Sequence, residues 1–297
     1  MPVLDPNEIS VVIPAYNSSG SIARAINSVI NQSVSVGEIV VVDDGSSDNT
    51  REVAGSISPL VRVITQVNSG PAAARNRGVS EAKGSWIAFL DDDDYWHEQK
   101  IELQIQDLSC SDGCGLMAQN WTRGDDFDLD FTFTQIPYVR QLILNRFQTS
   151  TVLMRRSIFE EVGGFVPEFD GVEDWHLWLK ATEKTEVILS SRVLVHYHDS
   201  AGGVSKKLWD YYLNMNKMLD VEEQRTPIDQ RLFATIRAWH YQRMAVAFAL
   251  EKMPKEAWLA ALAAIKRSSL KENLSAFSNH LVPFLRERKK KRSQKSN

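Results

Sequence analysis

Cysteine and long apolar runs are scarce in this 297-residue sequence. The two cysteines, Cys110 and Cys114, have no second pair of cysteines or histidines near them to complete a zinc site, so we expect reduced thiols. So little cysteine in a chain of this length is typical of a reducing compartment, which predicts a cytoplasmic protein. No apolar run approaches the roughly 20 residues of a membrane-spanning helix, and the N-terminal residues do not predict a signal peptide.

Glycine is absent after Gly203, and the charge of the sequence changes sign near the same position. Residues 1–205 hold 15 Lys and Arg against 29 Asp and Glu, whereas residues 206–297 hold 19 against 9. The first part is therefore acidic, with a balance of −14, and the second is basic, with a balance of +10. This asymmetry, together with the loss of glycine, predicts two domains, 1–205 and 206–297.

Basic charge is concentrated at the C-terminal end. Between Arg286 and Asn297, seven basic residues stand against the single acid Glu287, after an apolar stretch that runs from His280 to Leu285. The basic residues are Arg286, Arg288, Lys289, Lys290, Lys291, Arg292 and Lys295. A basic cluster beside an amphipathic segment attracts anionic lipid, so we expect peripheral contact with an anionic membrane surface. A solvated tail without a partner is the alternative, and nucleic acid is a poorer partner because the tail has no aromatic residues for stacking.

Short apolar runs in the first part alternate with helical patterns. Strands are predicted at 9–14, 38–44, 61–65 and 85–90, around Val152 and from Val193. Helices are predicted at 21–32, 72–82, 136–147 and from Val172, whereas residues 119–133 match neither pattern. The alternation predicts βαβ units, and therefore an α/β fold with a mostly parallel central sheet flanked by helices. Past residue 205 the patterns are helical, and Pro254 separates the last two helices into a predicted hairpin.

Polar residues follow three of the predicted strands. The first strand ends in Pro14–Asn17, the second in Asp43 and Asp44, and the fourth in Asp91–Asp94. Ligands of open α/β sheets bind beyond the carboxyl ends of the strands, so these segments should meet at one rim. Four adjacent carboxylates repel one another unless a cation neutralises them, and carboxylate oxygens suit Mg²⁺ or Mn²⁺. The alternative is a solvated acidic turn that caps the following helix.

The chain resembles the family 2 glycosyltransferases in five blocks, which follow one another in the family's order between residues 9 and 205. The blocks are SVVIPAYN, VVVDDGSSDNT, NSGPAAARNRG, GSWIAFLDDDDYW, and RRSIFEEVGGF followed by VEDWHLWLK. The resemblance implies the GT-A fold, with a Rossmann-like sheet. It also implies transfer of a sugar from a nucleotide-diphosphate sugar, with UDP favoured, to a hydroxyl of a saccharide or lipid-linked saccharide acceptor. The expected setting is the synthesis of cell-envelope polysaccharide or glycolipid.

The resemblance implies a donor site built from the strand ends and the second predicted helix. Its residues would be Pro14, Ala15, Tyr16, Asn17, Asp43, Asp44, Arg75, Asp91 and Asp92. Tyr16 would lie against the nucleotide base, because an aromatic face gives a base a stacking platform. Asp44, in preference to Asp43, would accept a hydrogen bond from a base N–H group. Arg75 would reach the nucleotide, since arginine pairs well with phosphate oxygens.

The resemblance also implies a metal site and a catalytic base. The family's D-x-D metal motif falls on Asp91–Asp93, with Asp93 as the direct ligand and Asp91 at the ribose or the metal. Asp94 leaves this register open by one residue. His198, in a loop, would contact the metal or the diphosphate, and the glycine-containing segment 199–205 would close over the donor.

The family's base falls on the pair Glu173 and Asp174, and Asp174 is the predicted general base of a single inverting displacement. A capping role at a helix N-terminus is the structural alternative for Asp174.

Other functions fit the sequence less well. A nucleotidyltransferase would need a basic, glycine-rich loop after the first strand, and PAYNSSG has no basic residue. A P-loop NTPase is excluded because the G-x-x-x-x-G-K-[ST] motif is absent from the sequence. A glycoside hydrolase would use paired carboxylates without a nucleotide pocket. A non-catalytic sugar-nucleotide-binding protein would have lost Asp93 or Asp174, and both residues are present.

Overall fold

The computed structural model describes residues 4–198, 208–226 and 228–282, and it divides into two compact units, Met1–Val204 and Ser205–Asn297. The described part of the first unit is α/β, and that of the second unit consists of helices. The predicted fold class, an α/β sheet flanked by helices with helices after it, is confirmed.

The described residues of the first unit form nine strands that belong to one sheet. They are β1 Ile9–Ala15, β2 Glu38–Asp43, β3 Val61–Thr65, β4 Trp86–Phe89, β5 Tyr95–Trp96, β6 Cys114–Thr122, β7 Phe133–Gln135, β8 Leu153–Arg155 and β9 Glu186–His196. Its α-helices are α1 Ile22–Ile30, α2 Thr50–Ile57, α3 Pro71–Glu81, α4 Lys100–Leu108, α5 Tyr138–Ile143, α6 Arg156–Glu161 and α7 Glu173–Ala181.

The sheet has a parallel half and a mixed half. The strand order is β3-β2-β1-β4-β8-β6-β9-β5, and β7 pairs with β9. The first four strands of this order are mutually parallel, whereas β8 runs antiparallel to both of its neighbours. The carboxyl ends of β1, β2 and β4 therefore open on the same edge of the sheet.

Strands β1, β2 and β4 are mostly apolar because helices cover both faces of the sheet. Val11 and Ile13 of β1 pack in the same cluster as Ile26 of α1, whereas Val12 packs in the opposite cluster with Val79 of α3. Successive residues of a strand point to opposite faces, so a strand covered on both sides needs an unbroken apolar run. The apolar runs that predict β1, β2 and β4 in the sequence arise because both faces of these strands are covered.

The middle of the chain differs from its predicted form. The helix expected over residues 136–147 is confined to Tyr138–Ile143, since Pro137 precedes it and Leu144 is already extended. The unassigned region 119–133 contains the end of β6 and the start of β7. The segment around Val152 begins with a 3₁₀ turn, Thr149–Thr151, before β8.

The described residues of the second unit form four α-helices. They are α8 Leu208–Arg225, α9 Gln230–Leu250, α10 Pro254–Arg267 and α11 Leu270–Ala276, and a π-helical segment, Phe277–Leu281, follows α11. α9 packs against α8, α10 and α11, so α9 is the central helix of the unit. Pro254 lies in the first turn of α10, where its missing N–H group is not needed. Among the described residues, no helix combines the length and the hydropathy that crossing a membrane requires.

Helix α3 lies very close to the sheet at Gly78, so we expect a larger side chain at this position to destabilise the fold. A Cβ atom at Gly78 would overlap Val12 Cγ1 and lie 3.3 Å from Val42 Cγ2. Glycine in a helix normally costs up to about 1 kcal/mol relative to alanine. Here the steric cost of the added Cβ atom should exceed the gain in helix propensity. Gly78→Ala should therefore lower the free energy of unfolding by about 1–3 kcal/mol, measured by urea denaturation.

The matched control is the glycine at position 55, in the interior of α2. A Cβ atom at Gly55 would meet only Val63 Cγ2, at an ordinary 3.7 Å. Gly55→Ala should therefore leave the stability unchanged or raise it by up to about 1 kcal/mol. Equal stability changes in the two variants would contradict the close approach at Gly78.

Candidate active site

The predicted rim residues lie together at the carboxyl ends of β1, β2 and β4. Pro14 and Ala15 are the last residues of β1 and are buried, whereas Tyr16 is 51% exposed and Asn17 is exposed. The backbone N–H of Asp44 donates to the carbonyl of Ala15 at 2.8 Å, and the N–H of Tyr16 donates to Asp92 Oδ2 at 3.2 Å. Hydrogen bonds therefore join the three strand ends directly.

Asn17 holds the turn after β1 against the turn after β2. Its φ angle is 51°, in the left-handed region that asparagine tolerates better than most residues. Its N–H donates to Ser46 Oγ at 2.9 Å, and its Oδ1 accepts from the N–H of Ser47 at 2.8 Å. This reciprocal pairing leaves the ring of the neighbouring Tyr16 exposed beside the two turns.

Asp43 and Asp44 have different tasks in the structure, although both are buried. Asp43 Oδ1 accepts from the N–H of Ser46 at 3.2 Å and stabilises the turn after β2. Asp44 Oδ1 accepts from the N–H of Ser69 at 2.9 Å, and its Oδ2 accepts from the N–H of Gly70 at 2.8 Å. Because Gly70 directly precedes α3, Asp44 fixes the start of the helix that carries Arg75.

Arg75 is a buried cation between two carboxylates. Its Nη2 lies 2.7 Å from Asp91 Oδ1, and its Nη1 lies 3.3 Å from Glu173 Oε1. The guanidinium carbon also lies 5.4 Å from the centre of the Phe165 ring. Burial opposes the charged form, but Asp91 and Glu173 outweigh it and raise the pKa of Arg75. The arginine thus joins the end of β4 to the start of α7.

The four consecutive aspartates divide by their surroundings. Asp94 is 1% exposed, its Oδ2 accepts from Ser150 Oγ at 2.5 Å, and its Oδ1 accepts from the backbone N–H of His198 at 2.7 Å. Burial and the neighbouring carboxylate of Asp91 raise the pKa of Asp94 to about 8. Both carboxylate oxygens of Asp94 therefore already accept hydrogen bonds within the protein.

The other three aspartates are half-buried. Asp92 is tied to the backbone of Tyr16, and burial raises the pKa of Asp92 to about 6. Burial and the charge of Asp91 raise the pKa of Asp93, and the charge of His198 opposes this shift. Asp91 pairs with Arg75, and its charge also raises the pKa of Asp92 and of Asp93.

Glu173 and Asp174 begin α7 and are in contact with the same rim through Arg75. Asp174 Oδ2 accepts from Asn145 Nδ2 at 3.0 Å. Burial and the negative charge of Glu173 raise the pKa of Asp174 to about 7. Burial likewise raises the pKa of Glu173, and among the described residues Glu173 Oε2 and Arg75 Nε have no hydrogen-bond partner. This is a buried, polar corner with spare hydrogen-bonding capacity.

The histidines near the end of β9 lie in different environments. His198 is exposed, with its backbone held by Asp94. His196 stacks on the ring of Tyr95 at 4.3 Å between ring centres, which is a packing contact. The predicted closing segment, 199–205, lies outside the described residues. Within the described ranges, no group of three or more His, Cys, Asp or Glu residues is arranged to hold a metal ion.

Two residues of this site were missed by sequence reasoning. Ser150 accepts from the N–H of Asp91 at 3.0 Å and donates to Asp94, so it fixes the acidic run at both ends. Asn145 contacts Asp174. Both residues lie in the irregular region between β7 and β8, where neither apolar periodicity nor a motif indicated a role.

The fold is that of the GT-A glycosyltransferases. Staphylococcus aureus TarS 1–349 in complex with UDP-GlcNAc superimposes with a TM-score of 0.67 at 19% identity, over 90% of this chain and 81% of that chain. The mannosyltransferase PcManGT of Pyrobaculum calidifontis, in complex with GDP-Man and Mn²⁺, gives a TM-score of 0.62 at 18% identity, over 93% and 80% of the two chains.

Sequence similarity assigns the chain to a family. The family model of glycosyl transferase family 2 matches residues 10–163, just over half of the chain, so the chain belongs to this family. One curated relative is the Escherichia coli UDP-Glc:alpha-D-GlcNAc-diphosphoundecaprenol beta-1,3-glucosyltransferase WfaP. It is 29% identical over 217 residues, which cover 71% of this chain and 85% of the relative. Two other curated relatives are matched over about half of their length, 56% and 51%.

Asp93 and Asp94 lie in different surroundings, so we expect their substitution by alanine to change the stability by different amounts. Asp94→Ala should leave Ser150 and the N–H of His198 without their acceptor and should lower the free energy of unfolding by about 1–3 kcal/mol. Asp93→Ala removes a half-buried carboxylate that is repelled by Asp91, so the stability should change by no more than about 0.5 kcal/mol. Thermal and urea denaturation of both variants measure the difference. Equal destabilisation by the two substitutions would contradict the inward role of Asp94.

Proposed function

We propose that this protein transfers a sugar from a nucleotide-diphosphate sugar to an acceptor hydroxyl, with inversion at the anomeric carbon. One observation carries the proposal most strongly: Arg75 pairs with both Asp91 and Glu173, at 2.7 and 3.3 Å. It thereby joins the acidic run after β4, which would receive the donor, to the carboxylate pair of α7, which would activate the acceptor. Membership of glycosyl transferase family 2 supports the same chemistry.

The donor would bind across the ends of β1 and β2. The exposed ring of Tyr16 is available to stack on a nucleotide base, above the buried Pro14 and Ala15. Asp44 Oδ2 accepts a single hydrogen bond within the protein and can accept a second from a base N–H group. Uridine is the favoured nucleoside, since the similar TarS structure holds UDP-GlcNAc and the relative WfaP is named as a UDP-glucose enzyme.

The chemistry of the rim residues suits a divalent ion, Mn²⁺ or Mg²⁺, although no three of the described residues are already arranged around one ion position. Asp93 and Asp91 would supply carboxylate oxygens and His198 an imidazole nitrogen, and the repulsion between the two aspartates is what a cation relieves. Such ions commonly take only one or two carboxylates from the protein and complete their shell with phosphate oxygens and water. When bound, the ion would supply Lewis-acid stabilisation of the departing diphosphate.

Asp174 would act as the general base. Its pKa of about 7 allows it to be ionised before the reaction and to hold the acceptor proton afterwards. Asn145 Nδ2 orients one carboxylate oxygen by donating to Oδ2. Glu173 stays paired with Arg75, which is the observation that favours Asp174 over Glu173 for the proton transfer.

The acceptor would be a saccharide carried on a lipid, in cell-envelope polysaccharide synthesis. The name of the relative WfaP specifies a diphosphoundecaprenol-linked sugar as its acceptor. Such an acceptor lies at a membrane, and the basic residues between Arg286 and Lys295 would attract the anionic cytoplasmic face. We therefore propose a cytoplasmic protein that works at the inner membrane surface.

The base is tested by substitution and by pH. Asp174→Asn should bind the donor as the wild type does but turn over about 10²–10⁴-fold more slowly. In the wild type, kcat/KM should fall as the pH falls through about 7, because the protonated Asp174 cannot accept a proton.

Glu173→Gln is the control for this pH dependence. It removes the negative charge that raises the pKa of Asp174, so the acid limb of the profile should shift to lower pH but persist. Wild-type turnover in Asp174→Asn would assign the base elsewhere.

The donor and the metal are tested together. UDP-sugars should raise the melting temperature of the protein, and Mn²⁺ should increase that shift, because ligands that bind the folded state stabilise it by mass action. Asp93→Ala should lose the Mn²⁺-dependent part of the shift and all transfer, whereas the surface variant Glu168→Ala should keep both. Full transfer in excess EDTA would overturn the metal proposal, and donor binding without any turnover would favour a non-catalytic binding protein.

A further inference from the structure

The last two described α-helices carry large apolar side chains on their solvent side. In α10, Trp258 and Ile265 are 63% and 71% exposed, and in α11, Leu270 and Leu274 are 77% and 59% exposed. Phe277, directly after α11, is 50% exposed. We call these five residues the α10–α11 apolar face.

Their spacing places them along one side of each helix. Trp258 and Ile265 are seven residues apart, and Leu270, Leu274 and Phe277 are separated by four and three residues, which are the intervals of a single helix face. Both α10 and α11 pack against α9, so the exposed side chains lie on the sides that α9 does not cover.

The buried sides of the same helices are lined by small residues. Ala260 and Ala264 are the buried residues of α10, and Ala276 is the buried residue of α11. A surface helix of a globular protein normally buries its large apolar residues and exposes polar ones. Here alanines allow close packing on α9 while tryptophan, isoleucine and leucine remain in water, so this face is built for an apolar partner.

Charge identifies that partner. Lys255, Lys266 and Lys271 are exposed on the same two helices, and the basic tail from Arg286 follows them in the sequence. An apolar face bordered by lysine is the pattern of a helix that lies in the interface of an anionic bilayer.

Two other occupants fit less well. Residues 286–297 contain no apolar side chain, so this basic segment offers no apolar surface to the face. In a two-fold dimer the same surface would meet its own copy, which would bring the lysines and the basic tails of both chains together. We propose that the α10–α11 apolar face inserts into the headgroup region of an anionic phospholipid bilayer, with the neighbouring lysines on the lipid phosphates.

This docking surface deepens the membrane contact proposed for the basic tail, and it does not depend on the chemistry at the rim. The tail alone would give binding that salt abolishes, because long-range attraction between charges is screened. An inserted apolar face adds membrane binding that persists at high salt. The two contributions can therefore be separated in the full-length protein.

The experiment measures co-sedimentation with vesicles of equimolar phosphatidylcholine and phosphatidylglycerol, and with phosphatidylcholine alone, at low and high salt. The face variant combines Ile265→Ser, Leu270→Ser and Leu274→Ser. The control variant combines Leu213→Ser, Val221→Ser and Leu232→Ser, three apolar residues of α8 and α9 that are also exposed. A tail variant combines Lys289→Ser, Lys290→Ser and Lys291→Ser. Brominated lipid should quench wild-type fluorescence more than that of Trp258→Phe.

We expect the face variant to lose about tenfold or more in partitioning and to lose all binding at high salt. The control variant should bind as the wild type does, and the tail variant should lose only the salt-sensitive part. Partitioning of the face variant equal to that of the wild type, or quenching that does not depend on Trp258, would overturn the proposal. So would a dimer in lipid-free buffer that the face variant dissociates, since it would assign the face to a second copy. The rise in melting temperature that UDP-sugars produce in the face variant measures donor binding at the rim separately. Failure of the membrane proposal is therefore distinguishable from failure of the proposed function.

Discussion

The buried ion pairs of Arg75 are the interaction on which the rim depends. The strand order brings the acidic ends of β2 and β4 to one edge, and α7 adds Glu173 and Asp174 to the same region. Carboxylates in such surroundings repel one another, and burial makes each charge more costly. A guanidinium can bridge two of them because its donors form a fixed fork, which the single ammonium of lysine lacks. Arg75 offsets the charges of Asp91 and Glu173 directly, whereas Asp93 and Asp174 are the residues proposed for direct metal binding and for proton transfer.

The acidic run after β4 follows from the same constraint. Four aspartates in sequence cannot all point at one ligand, and the structure turns Asp94 inward to Ser150 and Asp92 toward the backbone of Tyr16. These hydrogen bonds tie the run to neighbouring segments. The run itself forms a turn, in which the N–H of Asp94 donates to the carbonyl of Asp91 at 3.2 Å. The turn leaves Asp91, Asp92 and Asp93 half-buried, whereas Asp94 is buried.

The sequence predicted the strand ends correctly because their signal is local. Unbroken apolar runs followed by polar residues predict buried parallel strands, and adjacency of such strands follows from their connections. The pairing of Arg75 with Glu173 joins residues 98 positions apart and left no pattern in the sequence. The role of Ser150 was equally hidden, since Ser150 lies in a 3₁₀ turn, Thr149–Thr151, directly before β8. No bounds were predicted for helix α4, although Ile101, Ile105 and Leu108 have the spacing of one helix face.

Charge and apolar exposure together give the two parts of the chain opposite relations to an anionic surface. Residues 1–205 carry a balance of −14 and would be repelled by anionic lipid, whereas residues 206–297 carry +10 and would be attracted. Attraction alone would leave a loosely held protein whose distance from the bilayer depends on salt. In the proposed membrane contact, the exposed Trp258 and its neighbours on α10 and α11 would give the bound protein a defined depth, because apolar side chains stop at the boundary between headgroups and acyl chains. Under the proposed function, nucleotide sugars would reach the acidic domain from solution, because anionic lipid repels that domain, whereas a lipid-linked acceptor would come from the surface that attracts the basic part.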